Sequence, residues 1–279
     1  MAQRRDVGTG NYVLGTAGAL LNTGLVIGRD RALVIDTGCG PRQAAEILAA
    51  VREVTDLPLT VVNTHAHYDH FFGNAVFAAD GVTEFWAHEN AAREIAESSE
   101  SQRALLRPAG SPGPDAETAE PEMAAAEGSY VKIVLPTATV KDQPVLIDLG
   151  GRAATLFYLG RGHTDGDLLV GAQSALFAGD LVEQGAHPSF EDSYPADWAN
   201  TLRQLSALRG RYEFLVPGHG LPVSDDFVKV MAGTMATAVR QARQASREMP
   251  DLATKAIPIL PYGPDQSRWF IKRLQETSA

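Results

Sequence analysis

Cysteine is almost absent: Cys39 is the only one in 279 residues. A lone cysteine excludes an intrachain disulfide and a cysteine-rich zinc knuckle, and it fits a reducing compartment. It is expected to be a small buried residue rather than a nucleophile. Basic charge is also scarce. With 24 Lys and Arg against 34 Asp and Glu the formal net charge is −10, so the overall field repels phosphate backbones and anionic lipid and argues against nucleic-acid or membrane partners. Long apolar runs are missing too. The stretch from Tyr12 to Ile27, behind Arg4 and Arg5, is broken by Gly15, Gly18, Asn22 and Gly24, and no small-residue cleavage site follows a continuous apolar core. It reads as strands. No other segment is long enough to span a bilayer, and the expected location is cytoplasmic.

What is present is an ordinary globular composition, 44% hydrophobic and 21% charged, with enough chain for a substantial core. "LLNTGLVIGRDRALVIDTG" reads as a hairpin around a Gly-Arg-Asp-Arg turn. "PRQAAEILAAVREV" follows as a helix, with Pro41 at its first turn and Ala44, Ile47, Leu48 and Val51 on one face. A strand then leads through Leu57 to Val62 into "NTHAHYDHFFGN". The later chain repeats this order. "DLLVG" and "ALFAGD" are strands, "ADWANTLRQLSALRG" is a helix with Trp198, Leu202, Leu205 and Leu208 on one face, and "YEFLVPGHG" is a strand ending at His219. Asp36 and Asp180 occupy matching places, as do His65 and His219.

Such a repeat predicts an α/β fold of two similar halves packed face to face with helices outside, an αββα sandwich of two mixed sheets in a single domain over residues 1–279. Residues from about 98 to 128 are expected to form a mobile or partly helical insertion and those from about 224 to 279 a C-terminal helical part, with helices after Ser224 and near Arg268 to Gln275. Strand ends are where open α/β sheets place ligands.

Imidazole nitrogens and carboxylate oxygens suit zinc and other borderline divalent metals. In an extended segment His65 and His67 point to the same side, while Asp69 and His70, further along a turn, reach a different point. One segment therefore serves two neighbouring metals and leaves both incomplete. "GRGHTDGDLL" offers His163, "LFAGDL" offers Asp180 and "VPGHG" offers His219.

HAHYDH, GHTDGD, AGD and PGHG in this order resemble the metallo-β-lactamase superfamily, over roughly Asn11 to Pro222. The resemblance implies that His65, His67 and His163 bind a first metal, that Asp69, His70 and His219 bind a second, and that Asp180 bridges both. It implies two zinc ions per chain, with iron or manganese as other candidates. The implied activity is a dinuclear hydrolase in which a metal-bound hydroxide attacks a small ester, thioester, lactone or lactam. Asp69 would orient that hydroxide or carry a proton to the leaving group. Many zinc β-lactamases carry cysteine where Asp180 stands, whereas Asp180 is similar to the bridging aspartate of glyoxalase II-like thioesterases and lactonases. Glu183 takes the place of the basic residues that a glutathione thioester favours.

A second enzyme class on this fold is a mononuclear iron dioxygenase acting on a persulfide-type thiol. The substrate is expected to be a small molecule, and the sequence sets no oligomeric state. Asp36 reads equally as a turn residue or as a partner orienting a ligand histidine. Asp165 and Asp167 read as local hydrogen-bonding residues, and His88 and His187 as surface or hydrogen-bonded histidines, with His187 also placed to line a pocket. Pocket walls are expected from the segment after His70, from the insertion, and from Gly185 to Tyr194, where Phe190 and Tyr194 are aromatic.

Overall fold

The structure is a computed structural model that describes residues 2–16, 20–105, 131–248 and 250–277. Seven strands form the first sheet in sequence order: β1 (Gln3–Asp6), β2 (Asn11–Gly15), β3 (Asn22–Ile27), β4 (Ala32–Ile35), β5 (Leu59–Val62), β6 (Phe85–His88) and β7 (Ala138–Val140). Pairing is antiparallel from β1 to β4 and parallel from β4 to β7. The second sheet holds β8 (Val145–Asp148), β9 (Ala153–Tyr158), β10 (Leu168–Ala172), β11 (Ala175–Gly179) and β12 (Phe214–Pro217), with β12 at one edge and β8 at the other. Both sheets are mixed, because β12 runs parallel to β11 while the other pairs are antiparallel.

The two-residue period of the strands decides which side chains meet. In β4, Leu33 and Ile35 join Val13, Val26 and Val62 in the core between the sheets, facing Leu156, Val170 and Phe177. Its other face, Ala32 and Val34, packs against Ala44, Ile47 and Val51 of α1 (Pro41–Arg52). The same division holds in β11: Phe177 points between the sheets, and Leu176 and Ala178 point outward onto α5 (Pro195–Ser206). Continuous apolar strands are what burial on both faces requires.

The expected repeat is present. The β3–β4 hairpin, α1 and β5 form one unit and the β10–β11 hairpin, α5 and β12 form the other, each ending in a parallel pair. Each outgoing strand turns through a left-handed residue, at Asp36 (φ 64) in the first and at Gly179 (φ 52) just before Asp180 in the second. The expected face of α1 is buried except for Leu48, which is half-buried, and in α5 Leu208 lies beyond the helix end.

Outside the second sheet, α6 (Asp225–Glu248), a 3₁₀ segment (Pro250–Ile259) and α7 (Gly263–Glu276) close over the same core. Helix α7 starts earlier than its periodicity indicates, because Pro264 fits a first turn where its missing N–H costs nothing. Residues 98–105, where a mobile or partly helical insertion is expected to begin, are helical and continue α4 (Glu89–Leu105). The remainder of that expected insertion lies outside the described residues.

Trp198 is fully buried at the centre of this outer core, with its Nε1–H donating to Leu181 O at 2.9 Å and its ring against Phe190. Trp198→Ala is expected to destabilise the fold by about 3–5 kcal/mol through lost burial and the cavity left behind. Chemical denaturation midpoints of the two proteins check this.

Candidate metal centre

The centre lies where the two halves meet at the ends of β5, β11 and β12. After β5, Asn63 fixes the next turn by donating from Nδ2 to His70 O at 3.0 Å and to Asn74 Oδ1 at 3.1 Å. His67 is extended (φ −81, ψ 143), and the short helix α2 (Tyr68–Phe71) starts immediately after it. The change from extended chain to helix sends His65 and His67 to one point and Asp69 and His70 to another.

At the first point, His67 Nδ1 is 3.2 Å from His65 Nε2 and 2.9 Å from His163 Nε2. At the second, His219 Nε2 is 3.2 Å from Asp69 Oδ2, and His70 Nε2 is 3.5 Å from the same oxygen. Asp180 stands between them. Its Oδ2 is 3.6 Å from His163, 3.9 Å from His65 and 3.5 Å from His219, and its Oδ1 is 3.5 Å from His70. All seven residues expected as ligands are therefore brought together.

These separations fit metal coordination better than mutual hydrogen bonding. Donors about 2.0–2.1 Å from a tetrahedral zinc lie about 3.3 Å apart, close to the spacings seen here. Moreover, His70 Nε2 and Asp180 Oδ1 are buried and make no hydrogen bond, an arrangement that costs about 1–3 kcal/mol per group unless something else satisfies it. His65, His67 and His163 are thus able to hold one ion and Asp69, His70 and His219 another, each with Asp180 alongside.

Carboxylates behind the rings fix which nitrogen points inward. Asp36, in its left-handed turn, accepts from Thr64 N at 2.7 Å, from Thr64 Oγ1 at 2.8 Å and from His70 Nδ1 at 2.8 Å. The proton on Nδ1 leaves the His70 Nε2 lone pair facing the centre, so Asp36 is the orienting partner and not merely a turn residue. His67 has the opposite arrangement: Nε2 lies 2.7 Å from Asp192 Oδ2 and Nδ1 faces inward. The loop carrying Asp192 is held by Arg273 of α7, whose Nη2 and Nε donate to Asp192 O and Ser193 O, each at 2.9 Å.

Asp192 and Glu183 were not legible as site residues. Asp192 lies in "FEDSY" with no motif around it. Glu183 Oε1 is 4.0 Å from His163 Nδ1 and can join His163 and Asp180 in a further donor group. Its only sequence signal is its place three residues after Asp180, inside a segment that turns back over the centre.

Burial and close carboxylates perturb the titratable groups of the centre strongly. Burial disfavours charge on His65, His70 and His219. On His70 and His219 the nearby Asp180 and Asp69 carboxylates outweigh that and hold both imidazoles well above their usual pKa. His67 is enclosed as well, yet Asp192 raises it to about 9. Burial lowers His65, assisted by the His70 charge, and lowers His163 to about 4, assisted by His67. Burial beside Asp180 pushes Glu183 up to about 8.

A metal ion replaces the protons on the inward nitrogens. Loading is expected to release protons, and affinity to rise with pH, because His67, His70 and His219 are held above their usual pKa. Calorimetric titration in buffers of different ionisation enthalpy counts them.

Glycine is required at two positions around Asp180. A Cβ at Gly218 would overlap Asp180 Oδ1, and one at Gly179, where φ is positive, would press on the Thr64 side chain. The approach of β12 to β11 that seats His219 beside Asp180 depends on both.

A cavity of about 860 Å³ opens from Asp180, Glu183 and His219, with His187 in its wall and β1 at its far side. A smaller one of about 440 Å³ lies on the α4 side, lined by Tyr194, Asp192 and Arg273. Phe190, expected as a pocket wall, is instead fully buried against Trp198, Tyr262 and Phe270. The segment after His70 lines neither cavity, because Phe71 and Phe72 turn into the core. His88 is buried and stacked on Tyr158, with Nδ1 accepting from Asn90 N. Asp167 accepts from Thr164 N and Oγ1 and Asp165 O accepts from Tyr158, as expected of local bonding residues. Cys39 is buried, and no helix among the described residues is long and apolar enough to cross a membrane.

Fold and donor set together define a metal-dependent hydrolase class, and the metallo-beta-lactamase superfamily model matches residues 20–219. The chain belongs to that superfamily. It is 30% identical over 220 residues to the acyl-coenzyme A thioesterase MBLAC2 of Homo sapiens, an alignment covering 73% of this chain and 74% of that protein. It is 32% identical over 227 residues to the protein of the same name from Bos taurus, with the same coverage. Among solved structures, the metallo-beta-lactamase from Pontibacter korlensis superposes with a TM-score of 0.66 at 18% identity, covering 84% of this chain and 99% of that one. That likeness concerns the fold.

Proposed function

We propose that this chain is a dinuclear zinc hydrolase that cleaves thioesters of the acyl-coenzyme A class. The observation that carries the reading is the shared carboxylate: Asp180 stands within 3.9 Å of both donor groups, so one side chain serves two ions. When bound, two divalent ions supply a water acidified toward a pKa of about 7 and a charge that polarises the carbonyl.

The chain's own residues do the rest. His65, His67 and His163 hold the first ion, and Asp69, His70 and His219 the second. Asp36 and Asp192 keep the correct nitrogens directed inward. Asp69, at the mouth of the second group, orients the water and returns a proton to the leaving thiolate. Thioesters are favoured over lactams because the relatives named as acyl-coenzyme A thioesterases align over nearly three quarters of the chain.

Elemental mass spectrometry on protein purified without chelator or affinity nickel is expected to find about two zincs per chain. A panel of acyl-coenzyme A, simple ester, lactone and β-lactam is expected to show the thioester turned over fastest. About one iron per chain, with oxygen uptake on a persulfide, would replace this reading by the dioxygenase one. Preference for a lactam or lactone would keep the hydrolase and remove the thioester.

A further inference from the structure

We propose that Arg4 and Arg5, on the edge strand β1, form an anion subsite that binds the phosphate groups of a coenzyme A-type carrier during turnover at the neighbouring centre. This rests on the thioesterase reading above. The observations are placement, lack of partners and offset.

The large cavity runs from Asp180 and His219 to Gln3, Arg4 and Arg5. Register fixes how the strand meets it. Arg5 lies opposite Val13 of β2, and Val13 belongs to the core between the sheets, so the pleat puts Arg5 on the face that continues into the cavity. Arg4 sits on the other face, with its guanidinium 5.7 Å from the centroid of the Tyr12 ring, at the rim. Every residue of β1 is exposed.

Neither guanidinium forms an ion pair among the described residues. Several arginines elsewhere are matched by carboxylates, as in Arg52 with Asp80 and Arg161 with Asp197, and Arg152 and Arg203 are held by backbone or amide oxygens. In a chain of net charge −10, two adjacent unpaired arginines beside a cavity whose floor holds Asp180 and Glu183 are an uncompensated positive site. Guanidinium groups suit phosphate because their N–H forks pair with two oxygens at once.

The offset selects the kind of anion. The β2 end at Gly15 and the β3 start at Asn22 abut the His219 loop, where Asn22 Nδ2 donates to Pro217 O and Gly220 O. Gln3 pairs with Gly15, and Arg5 is two residues, about 7 Å, further along the strand. A charge bound there is set back along the strand from the end that abuts the His219 loop. That geometry fits a carrier whose phosphates are remote from its sulfur. Leu20 and Leu221, both exposed on the same cavity, provide apolar contact for the acyl portion.

The test compares acyl-coenzyme A with the same acyl group on N-acetylcysteamine, which lacks phosphates, and on glutathione, which carries only carboxylates. In the Arg4→Ala/Arg5→Ala double variant the KM for acyl-coenzyme A is expected to rise about tenfold or more. The preference for acyl-coenzyme A over the cysteamine thioester, as a ratio of kcat/KM, falls by the same factor. The Arg4→Lys/Arg5→Lys variant restores part of it. An unchanged ratio, or an Arg-dependent preference for the glutathione thioester, would overturn the phosphate assignment.

Calorimetric binding of adenosine 3′,5′-bisphosphate separates this proposal from the functional reading. If the wild type hydrolyses no thioester but binds the bisphosphate and the double variant does not, the subsite stands and the thioesterase reading falls. If the wild type does not bind it, the subsite is refuted whatever the activity.

Discussion

Asp180→Ala is expected to lower turnover by about 10²–10³-fold, the scale on which a preorganised electrostatic stabiliser contributes, and to halve the metal content. Its carboxylate lies within 3.9 Å of His65 and His163 on one side and of His70 and His219 on the other. Removing it leaves each set with three side chains and no common ligand. The companion variant His219→Ala strips only the second set, so it should retain the first metal with similarly low turnover. Metal analysis and kcat on the same preparations check both. Full activity in the two variants would overturn the assignment of the centre.

The second large effect is expected at a residue that touches no metal. Asp36→Ala removes the acceptor for Thr64 N, Thr64 Oγ1 and His70 Nδ1 at a site that is 1% exposed. Each orphaned buried donor costs about 1–3 kcal/mol, and metal affinity is expected to fall about 10–100-fold. Asp36→Asn separates the two consequences. An amide nitrogen turned toward His70 disfavours the proton on Nδ1 and moves it to Nε2, the nitrogen that faces the centre. That variant is expected to keep more of the stability than Asp36→Ala and still lose metal. Thermal unfolding of the chelated protein, beside metal-binding isotherms, distinguishes a folding defect from a tautomer defect.

The donors were legible because their chemistry is local. Histidines two apart on an extended segment, followed by Asp69 and His70 across a turn, declare two directions without any tertiary information, and α2 begins where that change of direction was expected. The repeated hairpin, helix and strand were legible for a similar reason, since apolar period and turn residues are properties of short windows. The supporting groups were not. Asp192 reaches His67 across 125 positions of sequence, and nothing in "FEDSY" distinguishes a carboxylate held against an imidazole from one in solvent.

Phe190 shows the limit from the other side. An aromatic residue in a loop near the site reads as a pocket wall, but α7 packs over that loop and buries the ring against Phe270. Packing by a distant helix decided its role. Asp36 lay between the cases: its position after a strand was plain, while its choice of partner depended on His70 arriving from the next turn.

Arg273 extends the site beyond the segment that defines the family. The superfamily match spans residues 20–219, yet α7 grips the backbone of Asp192 and Ser193 from residue 273, and β1 lines the large cavity from Gln3, Arg4 and Arg5. The two flanks reach the centre from different cavities, β1 from the larger and Arg273 from the smaller. A chain trimmed to residues 20–219 would retain every proposed donor while losing the brace behind His67 and one whole bank of the groove. On the proposed reading, the matched segment supplies the donors, while the flanking chain braces the loop behind His67 and walls the larger cavity.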